Sequence, residues 1–143
     1  MPLGRGYEHS VFGVPETSRV LKFTHPDTAG FDRIEPPTVT EYLQRLQLGN
    51  QELGDDVVLE GVLNSEAGIV TVTSQPFIDA EGDPHPTYEK MNAFVRSLGF
   101  KYQSGAWWRE SDRLVMEDVH PGNFIVALDG RIVPIDVKLS RVP

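Results

Sequence analysis

From Phe100 onward the chain is cut into short extended runs. Phe100 to Gln103, Ala106 to Arg109, Arg113 to Met116, Phe124 to Leu128 and Arg131 to Ile135 are each too short to be a helix. Runs of this length bury apolar side chains only by pairing with a neighbour, so this half must be built of hairpins. The N-terminal half has the same grain. Glu8 to Phe12 and Arg19 to Phe23 read as adjacent antiparallel strands joined by Gly13-Val14-Pro15-Glu16. Val57 to Leu63 and Ile69 to Val72 form a second pair, separated by Asn64-Ser65-Glu66-Ala67-Gly68 as a five-residue turn, and Pro76 should end the pairing. Helical periodicity occurs in two places. Thr38-Val39-Thr40-Glu41 has capping-box spacing ahead of an apolar face of Tyr42, Leu43, Leu46 and Leu53, ending near Gly49 or Gly54. Thr87 to Leu98 repeats Met91, Phe94, Val95 and Leu98 before Gly99. With Asp79 to Pro84 as a polar linker, the order is β-β-α-β-β, linker, α, hairpins, an α+β pattern of two small lobes sharing one cleft.

A length of 143 residues allows one such domain. The absence of cysteine excludes disulfide scaffolds, thiol nucleophiles, iron–sulfur clusters and cysteine-based zinc sites. Lys+Arg 13 against Asp+Glu 21 gives a net charge of -8, which repels a bare phosphate backbone, so no nucleic-acid partner is expected. No apolar run approaches the roughly 20 residues that cross a bilayer, and the first residues lack the apolar segment of a secretion signal. The expectation is a cytoplasmic protein without membrane contact.

The most informative stretch is Asp118-Val119-His120-Pro121-Gly122-Asn123, followed by a hairpin and Pro134-Ile135-Asp136. Taking Asp129-Gly130 as a two-residue turn pairs Leu128 with Arg131, Ala127 with Ile132, Val126 with Val133 and, by continuation, Asn123 with Asp136. In that register Asn123 and Asp136 form a non-hydrogen-bonded pair with Cβ atoms about 4.5 to 5.5 Å apart, and Pro134 need not donate to the ladder. An amide oxygen beside a carboxylate suits Mg²⁺, which takes its remaining ligands from phosphate and water. Asp118 opens the preceding loop and can aim a carboxylate into the same space. Phosphoryl transfer needs such a metal-binding pair and a carboxylate that orients or deprotonates the attacking hydroxyl.

On these residues the sequence resembles the protein-kinase-like superfamily, in the branch that includes the aminoglycoside phosphotransferases. Their catalytic loop runs Asp-x-His-x-x-Asn, as Asp118 to Asn123 does, and Ile135-Asp136 stands where the Asp-Phe-Gly element begins. The resemblance makes Arg19-Val20-Leu21-Lys22-Phe23 the strand whose Lys22 meets the α and β phosphates. It makes Leu3 to Phe12 an abbreviated glycine-rich loop keeping Gly4 and Gly6, the helix after Lys22 the bearer of a partner carboxylate in Glu41, and Gln75-Pro76-Phe77 the hinge that grips adenine. The full set most closely resembles the small kinase-like domain of phage and mobile-element polyvalent proteins. The resemblance implies a minimal kinase-like fold in a single domain over 1–143. Residues 1–78 would be an antiparallel N-lobe sheet with one helix, and 79–143 a much reduced C-lobe.

What it implies functionally is an ATP- and Mg²⁺-dependent phosphotransferase. Asp118, Lys22 and His120 would be catalytic, Asn123 and Asp136 would hold metal, and Gly4, Gly6, Lys22, Glu41, Gln75 and Phe77 would contact nucleotide. Its partners would be the nucleotide and a small-molecule or protein acceptor, with dimerisation or a neighbouring domain covering exposed apolar surface. Two departures favour the alternative of a noncatalytic, nucleotide-binding pseudokinase or interaction module: Glu117 replaces the usual residue before the catalytic aspartate, and after Asp136 there is no room for an activation segment or a large helical lobe. The residues also have plain readings. Asp and Asn cap turns, His120 could pack within its loop, Glu41 has a competing bond to Thr38, and Glu52 or Glu60 could serve Lys22 in its place. A transition-metal site built from His120 with aspartates lacks a second well-placed histidine.

Overall fold

The computed structural model describes residues 2–5, 9–14, 18–24, 39–80 and 82–143. They form eleven strands and two α-helices, arranged as two compact units, Met1–Phe77 and Ile78–Pro143. This is an α+β chain with antiparallel pairing throughout the described strands.

Unit 1 is a five-stranded sheet in the order β1-β2-β3-β5-β4, from β1 (Pro2–Arg5), β2 (His9–Val14), β3 (Arg19–Thr24), β4 (Val58–Ser65) and β5 (Gly68–Pro76). Lys22 lies opposite Val11 on one side and Thr73 on the other. Side chains alternate along a strand, so Lys22 shares its sheet face with Val20, Thr24, Thr71 and Thr73, all four buried. Burying hydroxyls requires partners, and Thr24 Oγ1 accepts the backbone N–H of Thr71 at 2.9 Å, extending the ladder past its last strand pair. On the opposite face Phe12 and Phe23 meet edge to face at 5.4 Å. There too Arg19 Nε donates to Ser74 Oγ at 3.0 Å, and Ser74 Oγ donates to Glu60 Oε1 at 2.6 Å.

The strands differ from expectation at their turns, and Gly13 and Val14, expected to begin the turn after β2, are paired residues of that strand. The β4–β5 turn is Glu66-Ala67 alone, because Ser65 pairs with Gly68, so the strands run further than the five-residue turn predicted. The glycine-rich loop begins as a strand: Gly4 sits in β1 opposite Val11, beside a register shift. Gly6, and Thr38 of the expected capping box, lie outside the described residues.

Helix α1 (Val39–Leu53) buries Tyr42, Arg45 and Gly49, whereas Leu43, Leu46 and Leu53 are half-buried. The buried row is therefore displaced from the leucines read as its apolar face. Arg45 enters that row because its guanidinium lies 5.1 Å from the Tyr42 ring, which accepts a planar cation. Gly54, at φ +66, closes the helix where the leucine pattern ends.

Unit 2 opens with α2 (Tyr88–Ser97), whose N-cap Thr87 accepts the Lys90 N–H at 3.2 Å. Met91 and Val95 are its buried residues, and Phe94 meets Phe124 edge to face at 6.2 Å. A four-stranded sheet follows in the order β11-β8-β7-β6, from β6 (Lys101–Gln103), β7 (Ala106–Arg109), β8 (Leu114–Glu117) and β11 (Lys138–Arg141). Leu114, Val115 and Met116 are all buried, as befits an inner strand covered on both faces. Trp107, opposite Met116, is buried beneath the guanidinium of Arg96, and Trp108 is half-buried with its indole N–H on the Gln103 carbonyl. Strand β11 was absent from the sequence reading, yet it pairs with the whole of β8.

The remaining strands, β9 (Phe124–Val126) and β10 (Ile132–Pro134), make a hairpin. Its outer edge is covered by the stretch read as a linker. Leu128 N–H donates to the Asp79 carbonyl at 3.1 Å, Val126 N–H donates to the Pro84 carbonyl at 2.7 Å, and His85 Nδ1 lies 2.9 Å from the Phe124 carbonyl. Those are edge groups that would otherwise face solvent.

Candidate functional site

Two ladders converge on the loop between β8 and β9. Glu117, the last residue of β8, lies opposite Lys138, the first of β11. The next residue, Asp118, turns the chain sharply at φ +60, a conformation that Asp tolerates better than most side chains. Pro121, Gly122 and Asn123 form a single 3₁₀ turn in which Asn123 N–H donates to the His120 carbonyl at 2.9 Å. Proline stands at its start, where no donor is required. Asn123 is buried, and its Nδ2 donates 2.7 Å back to the Asp118 carbonyl, closing the loop on itself. The Asn123 carbonyl in turn accepts the Ile135 N–H at 2.9 Å, so the following residue, Asp136, is held between the β9–β10 hairpin and the start of β11.

The register differs from the predicted one by a single residue. Ala127 N–H donates to the Arg131 carbonyl at 2.8 Å, and Val126 pairs with Ile132, leaving Leu128-Asp129-Gly130 as a three-residue loop. Gly130 at φ +89 supplies the left-handed residue that this loop type requires. Asp129 rigidifies it by accepting both the backbone N–H and the Nε of Arg131, at 3.0 and 2.6 Å, which holds its carboxyl below the usual range. In consequence Asn123 faces Ile135, not Asp136, and the two metal-ligand candidates are not a cross-strand pair. Pro134, opposite Phe124, still occupies a position where no ladder donor is needed.

Asp118 and His120 do come together. His120 Nε2 stands 3.6 Å from Asp118 Oδ1, with both side chains about half exposed. The other edge of the ring lies over Gly122, where an added Cβ would fall 3.0 Å from both Cε1 and Nδ1. Glycine there makes room for the imidazole.

In unit 1, Lys22 is half-buried on its sheet face and Glu41 is exposed in the first turn of α1. Glu60, on the opposite face with Ser74, does not replace Glu41. Gln75 lies opposite Val20, and Phe77 is half exposed, its N–H donated to the Ser18 carbonyl at 2.9 Å. The residue that sequence reasoning missed is Asp55. Its backbone N–H reaches the Gly49 carbonyl, its Oδ1 is buried without a hydrogen-bond partner among the described residues, and a Cβ on Gly49 would overlap its Oδ2. Burial pushes its carboxyl up to about 7, opposed by the positive charge of Lys22. The clue was small: a glycine inside the helical pattern of α1, six residues ahead of an Asp-Asp pair.

Among the described residues no group of three or more His, Cys, Asp or Glu is disposed to hold a metal. The candidate donors of unit 2 are an amide oxygen at Asn123 and a carboxylate at Asp136. That set is too small and too hard for a transition metal but fits Mg²⁺, which takes few protein ligands when phosphate supplies the others. Anchoring Asn123 Nδ2 to the Asp118 carbonyl orients its planar amide and leaves Oδ1 without a hydrogen bond among the described residues.

No described helix is long and apolar enough to cross a membrane. No curated protein and no solved structure matches the chain significantly. A family model described as serine/threonine/tyrosine kinase found in polyvalent proteins matches residues 2–140.

Proposed function

The chain belongs to that family of kinases found in polyvalent proteins, and from this premise we propose that it is an ATP- and Mg²⁺-dependent phosphotransferase. Unit 1 serves as the nucleotide-binding N-lobe and unit 2 as a reduced C-lobe. The observation that carries the reading is the closed loop of Asp118 to Asn123, where one hydrogen bond from the Asn123 amide fixes the carboxylate-bearing residue and the metal-ligand candidate relative to each other. The acceptor oxygen attacks the γ-phosphorus as the bond to the β–γ bridging oxygen breaks. The electron pair of that bond leaves with ADP, and the acceptor's proton passes to the Asp118 carboxylate. Lys22 offsets phosphate charge, Gly4 and Gly6 give backbone N–H groups close approach to phosphate, and Gln75 and Phe77 border the adenine. Asn123 and Asp136 would hold Mg²⁺, which neutralises charge on the phosphates when bound.

Calorimetry with Mg²⁺ and ATP tests this, with Lys22→Ala and Asp136→Asn beside the parent. Binding that requires Mg²⁺ and weakens at least tenfold in both variants is expected, together with γ-phosphate release that Asp118→Asn lowers by orders of magnitude. Binding indifferent to both substitutions would overturn the reading. A second reading, a noncatalytic nucleotide-binding module, is favoured by the one-residue register difference that takes Asp136 out of direct opposition to Asn123. It expects Mg²⁺-dependent stabilisation by ATP with the γ-phosphate never consumed.

A further inference from the structure

Asp118 has its backbone fixed by two sets of hydrogen bonds. The main chain is held by the Asn123 amide and by the ladder that ends one residue earlier at Glu117. The carboxylate, by contrast, has one polar side-chain neighbour among the described residues, the imidazole of His120. The backbone that carries that imidazole is held as well. Pro121 follows it, the Asn123 N–H holds its carbonyl, and Gly122 leaves space for the Cε1–Nδ1 edge of the ring.

Resting on the phosphotransferase reading above, we infer that His120 is a positioning residue. From Nε2 it holds Asp118 Oδ1 and so turns the second carboxylate oxygen, Oδ2, toward the acceptor's hydroxyl. A free carboxylate rotates about its terminal bond and presents either oxygen, whereas one oxygen engaged by a fixed donor leaves the other in a defined place. The role needs an N–H at the Nε2 position and no proton transfer by the ring itself. At 3.6 Å, with both groups partly solvated, the two side chains stand within ion-pair range but beyond hydrogen-bond distance in the absence of bound acceptor, and catalytic hydrogen bonds tighten when the reacting complex forms.

Three substitutions separate this role from packing. Glutamine places an amide nitrogen near the position of Nε2, asparagine places one near Nδ1, and alanine removes both. With water as the acceptor, release of inorganic phosphate from ATP and Mg²⁺ is measured in the parent and in His120→Gln, His120→Asn and His120→Ala, each checked for native circular dichroism. The expected pattern is kcat within about fivefold of the parent for His120→Gln, and a loss of tenfold or more for His120→Asn and His120→Ala, with KM for ATP little changed in all three. Equal kcat in His120→Ala and the parent would overturn the inference, and so would equal losses in all three variants. Those results leave the phosphotransferase reading intact as long as Asp118→Asn abolishes turnover. A parent that releases no phosphate, or whose release is insensitive to Asp118→Asn, overturns that reading and the inference with it.

Discussion

The amide of Asn123 donates 2.7 Å to the backbone carbonyl of Asp118, five positions upstream, and joins the two ends of the loop that holds the candidate chemistry. Because Asn123 is buried, the bond is made away from competing water and its loss exposes a carbonyl to an unsatisfied environment. Asn123→Ala should therefore cost about 1 to 3 kcal/mol in urea unfolding and also weaken Mg²⁺-dependent ATP binding. Asn123→Asp should be no milder, since an ionised carboxylate cannot donate to the carbonyl. Unchanged stability in Asn123→Ala would show that the loop closes without this bond.

Gly122 tests the space beneath the imidazole. An alanine Cβ at 3.0 Å from Nδ1 and Cε1 is tight enough to push the ring by a few tenths of an ångström. The backbone of Gly122 is not among the left-handed glycines, so alanine brings no conformational penalty there. Gly122→Ala should lower phosphate release a fewfold while leaving the thermal midpoint within about 2 °C of the parent. Phosphate-release kinetics and calorimetric melting on one preparation check both halves.

Asp55 gives a pH signature. Its carboxyl titrates near 7 in the folded chain against 3.8 as the ordinary value, so between those limits the folded state holds a proton that the unfolded state has released. Stability must then fall as pH rises from about 4 to about 7, by about 1.4 kcal/mol per pH unit and roughly 4 kcal/mol at most. Partial solvent access reduces the total. Asp55→Asn removes this contribution and should flatten the unfolding free energy across that window. Lys22→Ala should extend the decline to higher pH, since the lysine charge opposes the upward shift. A parent and an Asp55→Asn variant with parallel profiles would show the carboxyl to be solvated.

Gly49 lies beneath the same carboxylate. A methyl group there overlaps Asp55 Oδ2, so Gly49→Ala should destabilise unit 1 in spite of the better helix propensity of alanine. Asp55→Gly, which frees the space, should recover most of the loss in a double-mutant cycle. Strictly additive effects would mean that the two residues do not touch.

Much of the architecture is written in local pattern. The strand pair expected over Glu8–Phe12 and Arg19–Phe23, observed as His9–Val14 and Arg19–Thr24, and the helix expected from Thr87 to Leu98 with its Gly99 stop, observed as Tyr88–Ser97, follow from alternation, periodicity and turn chemistry. The register of the Phe124–Pro134 hairpin is not so written, because Asp129-Gly130 serves a two-residue turn and a three-residue loop equally well. That single choice decides which side chain faces Asn123. Strand Lys138–Arg141 is also silent locally. Leu139 is its one buried residue, and the strand exists because Leu114–Glu117 offers an open edge to pair with. Asp55 and Asp56 are identical neighbours with opposite fates: Asp56 pairs with Arg19 in solvent at 3.0 Å, and Asp55 turns inward. Only the tertiary position of Gly49 tells them apart. Of the candidate site, the loop from Asp118 to Asn123 was visible as a motif, whereas its closing bond and the seating of His120 over Gly122 required three dimensions.

Asp79, Pro84 and His85 cover the outer edge of the Phe124–Pro134 hairpin with two carbonyls and one imidazole. A cut that separates the two units must for this reason fall at Phe77–Ile78 and not further along the chain. A fragment beginning at α2 would carry an open strand edge next to the candidate catalytic loop and should self-associate, whereas one beginning before Asp79 keeps its own seal. Swapping this unit onto another protein would have to carry those residues along as part of its fold, not as a tether.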